Sequence, residues 1–191
     1  MTANATPSEH NEDSAMKFLG LLAAGAAFLA FGDPVLADKL PEPKSVTIDK
    51  SLSADQAQAA IHVARVFYEF WDTGDAQFAR LALADNFTDH TLPKGRPQGV
   101  DGPIVASRNF RQALPDLRCE IEQLIVAGDR VIAHLRFRGH FTGAFGQKQG
   151  GGQTVDFIAT DILRVQDGRI TDNWHIEDNL TFMQQLGIVQ L

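Results

Sequence analysis

Two segments of alternating apolar and polar residues meet at a tight turn in residues 154–177, TVDFIATDILRVQDGRITDNWHIE. Residues 154–165 and 169–177 are both rich in β-branched and aromatic residues, and Asp167 and Gly168 separate them. Such segments joined by a short polar turn are typical of paired antiparallel strands. The period of two predicts that one face of this pair is buried.

The chain before this segment predicts helices first and more strands afterwards. Segments 117–126 and 130–142 also have a period of two, so they extend the pair to a four-strand meander. Apolar spacing and helix-end signals predict the remaining elements: helices over 53–73, 76–83 and 104–114, a short strand over 86–91, and a terminal amphipathic segment over 180–186. This order indicates an α+β domain, because the sheet must bury one face and only the amphipathic helices can cover it.

Composition excludes several classes of function. The 191 residues carry a formal net charge of -7, and their basic residues are dispersed without a Lys/Arg run. Nucleic acid is therefore not an expected partner. The single cysteine, Cys119, cannot form an internal disulfide, a redox pair or a cysteine-based zinc site within one chain.

The first 37 residues indicate an N-terminal extension with a signal peptide. Lys17 precedes 14 uncharged residues, 18–31, which are too few to cross a bilayer as a helix. Cleavage is expected before Asp38, which predicts an exported protein, periplasmic or secreted, with no stable membrane anchor. A buried helix is the alternative, and Met16 is an alternative start because residues 1–15 are unusually acidic. Residues 38–52 are expected to be a flexible lead-in to one domain, residues 53–191.

Four short motifs occur in a recognisable order: FTDH at 87–90, RGHFTG at 138–143, DILRVQDGRI at 161–170, and WHIED at 174–178 with QQLG at 184–187. Together they resemble the SnoaL-like polyketide cyclase (ester cyclase) branch of the nuclear transport factor 2-like superfamily over residues 53–191. The resemblance implies a cone-shaped, strongly curved, mostly antiparallel sheet wrapped over three helices around a mostly apolar pocket. It also implies that a pocket carboxylate, assisted by a histidine, catalyses an intramolecular aldol closure with no metal or organic cofactor.

Asp161 and His175 are the predicted catalytic pair. If the turn at 165–168 is a type I turn with a bulge at Gly168, Asp161 lies opposite Asn173, and His175 is its diagonal neighbour on the same face. A two-residue turn is expected to place the pair on opposite faces. In relatives the residue after Trp174 is often an aspartate, so the acid/base role in this chain would pass to Asp161. The alternative is a buried polar network without catalysis.

Five residues are predicted to bind substrate: His90, Phe141, Trp174, Tyr68 and Trp71. His90 is expected at the rim of the cone and Phe141 on the inward face of its strand, whereas Trp174, Tyr68 and Trp71 have core packing as the alternative. A metal site is not favoured, because neither a His-x-His nor a His-Glu-x-x-His spacing occurs.

Two functions follow from these observations. The first is a SnoaL-like enzyme that performs acid/base chemistry, an aldol-type cyclisation or isomerisation, on a small hydrophobic carbonyl compound. The property expected of such an enzyme is a raised pKa for Asp161 or a lowered pKa for His175 in a closed pocket. The second is a non-catalytic exported ligand-binding or scaffold protein of the same fold. A dehydratase or epoxide hydrolase is a third reading, and a homodimer is consistent with an exposed sheet face.

Overall fold

Four helices and eight strands form the domain in a computed structural model that describes residues 40–190. The helices are α1 (Ala54–Thr73), α2 (Ala76–Ala82), α3 (Asp101–Ala113) and α4 (Asn179–Gln185). The strands are β1 (Val46–Ile48), β2 (Leu83–Asp89), β3 (Arg118–Ala127), β4 (Arg130–Phe141), β5 (Ala144–Phe145), β6 (Lys148–Gln149), β7 (Gln153–Gln166) and β8 (Arg169–Glu177). Within this range no helix is long and apolar enough to cross a membrane.

The main sheet has six strands in the order β1-β3-β4-β7-β8-β2. Its four central strands pair antiparallel in chain order, which confirms the predicted meander. The two edge strands were not expected to pair as they do, because β1 lies parallel to β3 and β2 lies parallel to β8. A separate two-stranded hairpin, β5-β6, occupies the glycine-rich loop after β4. The mixed α+β class is therefore confirmed.

Helix α1, which packs on the inner face of the sheet, has hydrogen-bonding partners at both of its ends. Ser53 caps its first turn, accepting from the Gln56 N–H at 3.2 Å while the Gln56 side chain accepts from the Ser53 N–H at 3.0 Å. Gly74, with φ of 79°, ends the helix in the left-handed conformation. Arg111 of α3 then donates to the carbonyls of Trp71 and Asp72, at 2.7 and 2.8 Å, and so satisfies the last turn of α1.

Residues 40–52, the described part of the predicted flexible lead-in, contain a strand of the main sheet. Strand β1 takes its hydrogen bonds from β3, and the Lys44 ammonium lies 2.8 Å from Glu120 and 2.7 Å from Glu122. Arg65 donates to the carbonyls of Leu40 and Pro41. Because the β1 side chains are all exposed, this edge strand has no apolar alternation that the sequence could reveal. The predicted signal peptide, residues 1–37, lies outside the described residues.

The β7-β8 turn differs from the predicted one. Asp167 and Gly168, with φ of 50° and 74°, form a two-residue turn in which Gln166 pairs with Arg169. The register then shifts between Arg164 and Val165, so that β8 has one extra residue near the turn. The two one-residue changes add up to a shift of two residues from the predicted register, which keeps the faces the same, so Asp161 pairs directly with His175. The predicted diagonal register is wrong, but the shared face is present.

Gly143 lies where the chain leaving β4 passes the end of α3. A Cβ at this position would lie 1.9 Å from the Gln112 carbonyl oxygen. We expect Gly143→Ala to lower the free energy of unfolding by about 1 to 3 kcal/mol, since backbone must shift to accept the methyl group. Urea denaturation measures the change. Gly151→Ala is the matched control, because its Cβ would meet nothing closer than 3.5 Å, and equal losses in both variants would contradict the argument.

Candidate active site

A buried carboxylate on β7 organises the site. The Asp161 side chain is 2% exposed and accepts three hydrogen bonds. Tyr68 of α1 donates its hydroxyl to Oδ2 at 3.0 Å, Asn173 of β8 donates Nδ2 to Oδ1 at 3.1 Å, and His175 donates Nδ1–H to Oδ1 at 2.7 Å. These three hydrogen bonds tie Asp161 to its neighbours, so its carboxylate holds Tyr68, Asn173 and His175 in place.

His175 lies beside Asp161 and keeps access to the cavity, with 24% of its side chain exposed. Burial alone would lower the pKa of His175, but the charge and hydrogen bond of Asp161, together with Glu177, outweigh burial and raise it to about 10. The imidazole is therefore a cation at neutral pH, with both ring nitrogens protonated. The expectation of a lowered His175 pKa is wrong, because two carboxylates face this ring.

Glu177 is the functional candidate that sequence reasoning missed. Its carboxylate Oε2 lies 3.4 Å from His175 Nε2, a contact too long to be a strong hydrogen bond. Asn173, His175 and Glu177 are alternate residues of β8 and share its inner face. That alternation is the signal in the sequence that could have found Glu177.

Two small cavities meet at His175 and Glu177. The first has a volume of about 20 Å³ and is also lined by Phe67, Trp71, Asp89, Arg96, Pro103, Phe110, Asp161 and Asn173. The second has about 10 Å³ and is closed by aromatic rings of Trp71, Phe110, Phe137 and Phe157. Each holds about one water molecule. A larger ligand must therefore displace part of this lining.

Two of the predicted substrate-binding residues, Tyr68 and Trp71, lie at this site. Both belong to α1, where Tyr68 is fully buried and bonds Asp161, and Trp71 forms a wall of both cavities. Burial and the Asp161 charge raise the pKa of Tyr68 well above its usual value, so it stays a donor. Phe141 points inward, as predicted, but it is fully buried in the core and lines neither cavity.

His90 and Trp174 lie on the other face of the sheet, which corrects their predicted place in the pocket. Their rings stack with centroids 4.3 Å apart and planes 4° apart. His90 Nε2 lies 2.7 Å from Asp172, and the Arg130 and Arg164 guanidinium groups lie 5.5 and 5.7 Å from the Trp174 ring. Trp174 and His175 are neighbours on one strand, so strand alternation sends them to opposite faces.

The inner-face arrangement defines a class of site. A cation with an acidic N–H and a nearby carboxylate stand together at the wall of an aromatic cavity, so one group can donate a proton while the other accepts one. Among residues 40–190, no group of three or more His, Cys, Asp and Glu side chains is placed to hold a metal ion. The fold is that of a nuclear transport factor 2-like α+β domain, and its inner face places an imidazole and a carboxylate together at an aromatic cavity.

Comparison with known proteins gives the family. The model of the SnoaL-like polyketide cyclases matches residues 61–186. A provisionally assigned polyketide cyclase from Bacillus cereus is 48% identical, with a TM-score of 0.73 over 80% of this chain and 96% of that one. The chain therefore belongs to the SnoaL-like polyketide cyclase family.

More distant structures share the fold. IdmH, a provisionally assigned polyketide cyclase from Streptomyces antibioticus, is 25% identical with a TM-score of 0.61, over 67% of this chain and 98% of that one. TsrD from Streptomyces laurentii is 22% identical with a TM-score of 0.63, over 73% of this chain and 100% of that one. Comparison with curated proteins gave no significant match.

Proposed function

We propose that this protein catalyses acid/base chemistry, an aldol-type cyclisation or isomerisation, on a small hydrophobic carbonyl compound. The observation that carries the proposal is the row of Asp161, His175 and Glu177, which puts a charged imidazole and a carboxylate together on one cavity wall. The assignment of the Bacillus cereus relative as a polyketide cyclase supports the same reaction class.

The roles differ from those predicted from the sequence. Glu177 takes a proton from the carbon next to the substrate carbonyl, and the resulting enolate oxygen accepts a hydrogen bond from His175 Nε2–H. In a cyclisation, the enolate carbon then bonds to a second carbonyl carbon, and the new alkoxide oxygen takes the proton that Glu177 carries. Asp161 is a positioning residue, since it fixes the ring through Nδ1 and maintains its charge.

A second candidate function is ligand binding without catalysis. The observation in its favour is the small volume of the cavities, about 20 and 10 Å³, between aromatic side chains. Such a protein would hold an apolar ligand against Trp71 and Phe110 without moving protons. The two functions differ in one respect, which is whether Glu177 and His175 accelerate proton removal from a bound ketone.

Deuterium exchange into a hydrophobic ketone tests this difference. We expect the full chain to accelerate exchange at the α-carbon of 1-tetralone in D₂O, followed by NMR, above the rate in buffer. Glu177→Gln and His175→Gln should each lower the catalysed rate by about 10²-fold or more, because each removes one proton-transfer group. Glu122 of β3 pairs with Lys44 and lines neither cavity, so Glu122→Gln is the matched control and should keep the full rate. Exchange equal to buffer, or unchanged in the two site variants, would favour the binding function.

A further inference from the structure

Arg96 differs from every other residue that lines the first cavity. The others all lie in helices or strands, whereas Arg96 belongs to the loop between β2 and α3. The backbone N–H of Arg96 donates to the Pro93 carbonyl at 3.1 Å, and this hydrogen bond fixes the backbone there. Within residues 40–190 its guanidinium has no hydrogen bond, ion pair or ring contact. A half-buried guanidinium offers five donors, so this one is available to an acceptor that enters the cavity.

Asn173 supplies a second unsatisfied group in the same lining. The residue is 7% exposed, and its Oδ1 is buried with no hydrogen-bond partner within the described chain. The orientation of the amide is fixed, because Nδ2 must face the Asp161 carboxylate as a donor. Since a buried acceptor without a partner is unfavourable, a ligand that brings a hydroxyl hydrogen to Oδ1 gains affinity.

None of the described carboxylates around the cavity forms an ion pair with Arg96. Asp161 is paired with the His175 cation, and Asp89 accepts from the Thr91 N–H and hydroxyl at 2.8 and 3.0 Å. Of the two cations in this lining, His175 is offset by Asp161 and Glu177, so Arg96 is the one that has no carboxylate partner among the described residues. A carboxylate suits a guanidinium, because its two oxygens accept two parallel hydrogen bonds.

We propose that the ligand of this cavity is a hydroxy acid or its enolic equivalent, with its carboxylate on Arg96 and its hydroxyl donating to Asn173 Oδ1. This inference rests on the proposed function, since it takes the same cavity as the substrate site. The first cavity holds about one water molecule in the present arrangement. Arg96 is the lining residue that can move aside without disturbing a helix or strand, so the ligand enters past it and the guanidinium closes on the carboxylate.

Titration calorimetry with three matched probes tests the proposal on the full chain. Salicylate carries both the carboxylate and the hydroxyl, benzoate lacks the hydroxyl, and salicylamide has a neutral amide in place of the carboxylate. We expect salicylate to bind about 10- to 100-fold more tightly than salicylamide and about 3- to 10-fold more tightly than benzoate. Arg96→Gln should abolish the preference for acid over amide and keep the preference for the hydroxyl.

Lys94→Gln is the matched control. It removes the same charge from an exposed position in the same loop, and it should keep both preferences. Salicylamide binding as tightly as salicylate to the wild type, no binding of any probe, or an unchanged preference in Arg96→Gln would overturn the proposal. Failure of the proposed function would be seen separately, as 1-tetralone exchange that Glu177→Gln leaves unchanged.

Discussion

Asp161→Asn is expected to turn His175 from a cation into a neutral imidazole at pH 7.5. In the wild type, burial acts to lower the pKa of His175, and Asp161 is the larger of the two carboxylates that raise it to about 10. Without the Asp161 charge, burial is opposed by the smaller contributions of Glu177, and the pKa should fall from about 10 toward the usual 6.5. NMR titration of the imidazole Cε1–H signal between pH 5 and 10.5 measures this change without any substrate.

Two further variants separate the effect of Asp161 from a general effect of charge. Glu177→Gln should lower the pKa of His175 by less, because its contributions to the shift are smaller than those of Asp161. Asp156→Asn removes a carboxylate that pairs with Arg136 on the other face of the sheet and should leave His175 unchanged. A His175 signal that still titrates near pH 10 in Asp161→Asn would show that Asp161 is not the main source of its charge.

The pairing of Asp161 with His175 could be predicted from alternation along two strands. Their common face follows from a period of two, provided that the turn shifts the register by an even number of residues. The direct register could not be predicted, because the bulge next to the turn near Thr171 has no sequence signal in a strand that is otherwise regular. Together the turn and the bulge move the register by two residues, so the shared face was predicted correctly although the turn and the register were wrong.

Other parts of the site depend on contacts that no local pattern encodes. Tyr68 and Asp161 are 93 residues apart, and only the packing of α1 on the sheet brings the hydroxyl to the carboxylate. Arg96 lies in a loop, where there is no periodicity to indicate which way a side chain points. Trp174 shows the opposite case, since its alternation with His175 already implied the outer face.

The free energy of unfolding should fall as the pH rises from 6.5 to 10, and His175 should account for a large part of the fall. The folded pKa of His175, about 10, lies above its unfolded value of 6.5. Its contribution is therefore fully present below pH 6.5 and is lost as the pH rises through 10. The shift corresponds to roughly 3 to 5 kcal/mol, and this amount already includes the interaction with Asp161.

Urea denaturation of the wild type and of His175→Gln, at intervals between pH 6 and 10, measures this contribution. Buried Cys119 and Tyr68 have raised pKa values and also destabilise the fold in alkaline solution, because the unfolded chain releases their protons more easily. Both remain in His175→Gln, so their effects cancel in the difference between the two curves. That difference should narrow by several kcal/mol as the pH rises, whereas parallel curves would mean that His175 is not a cation in the folded protein at neutral pH.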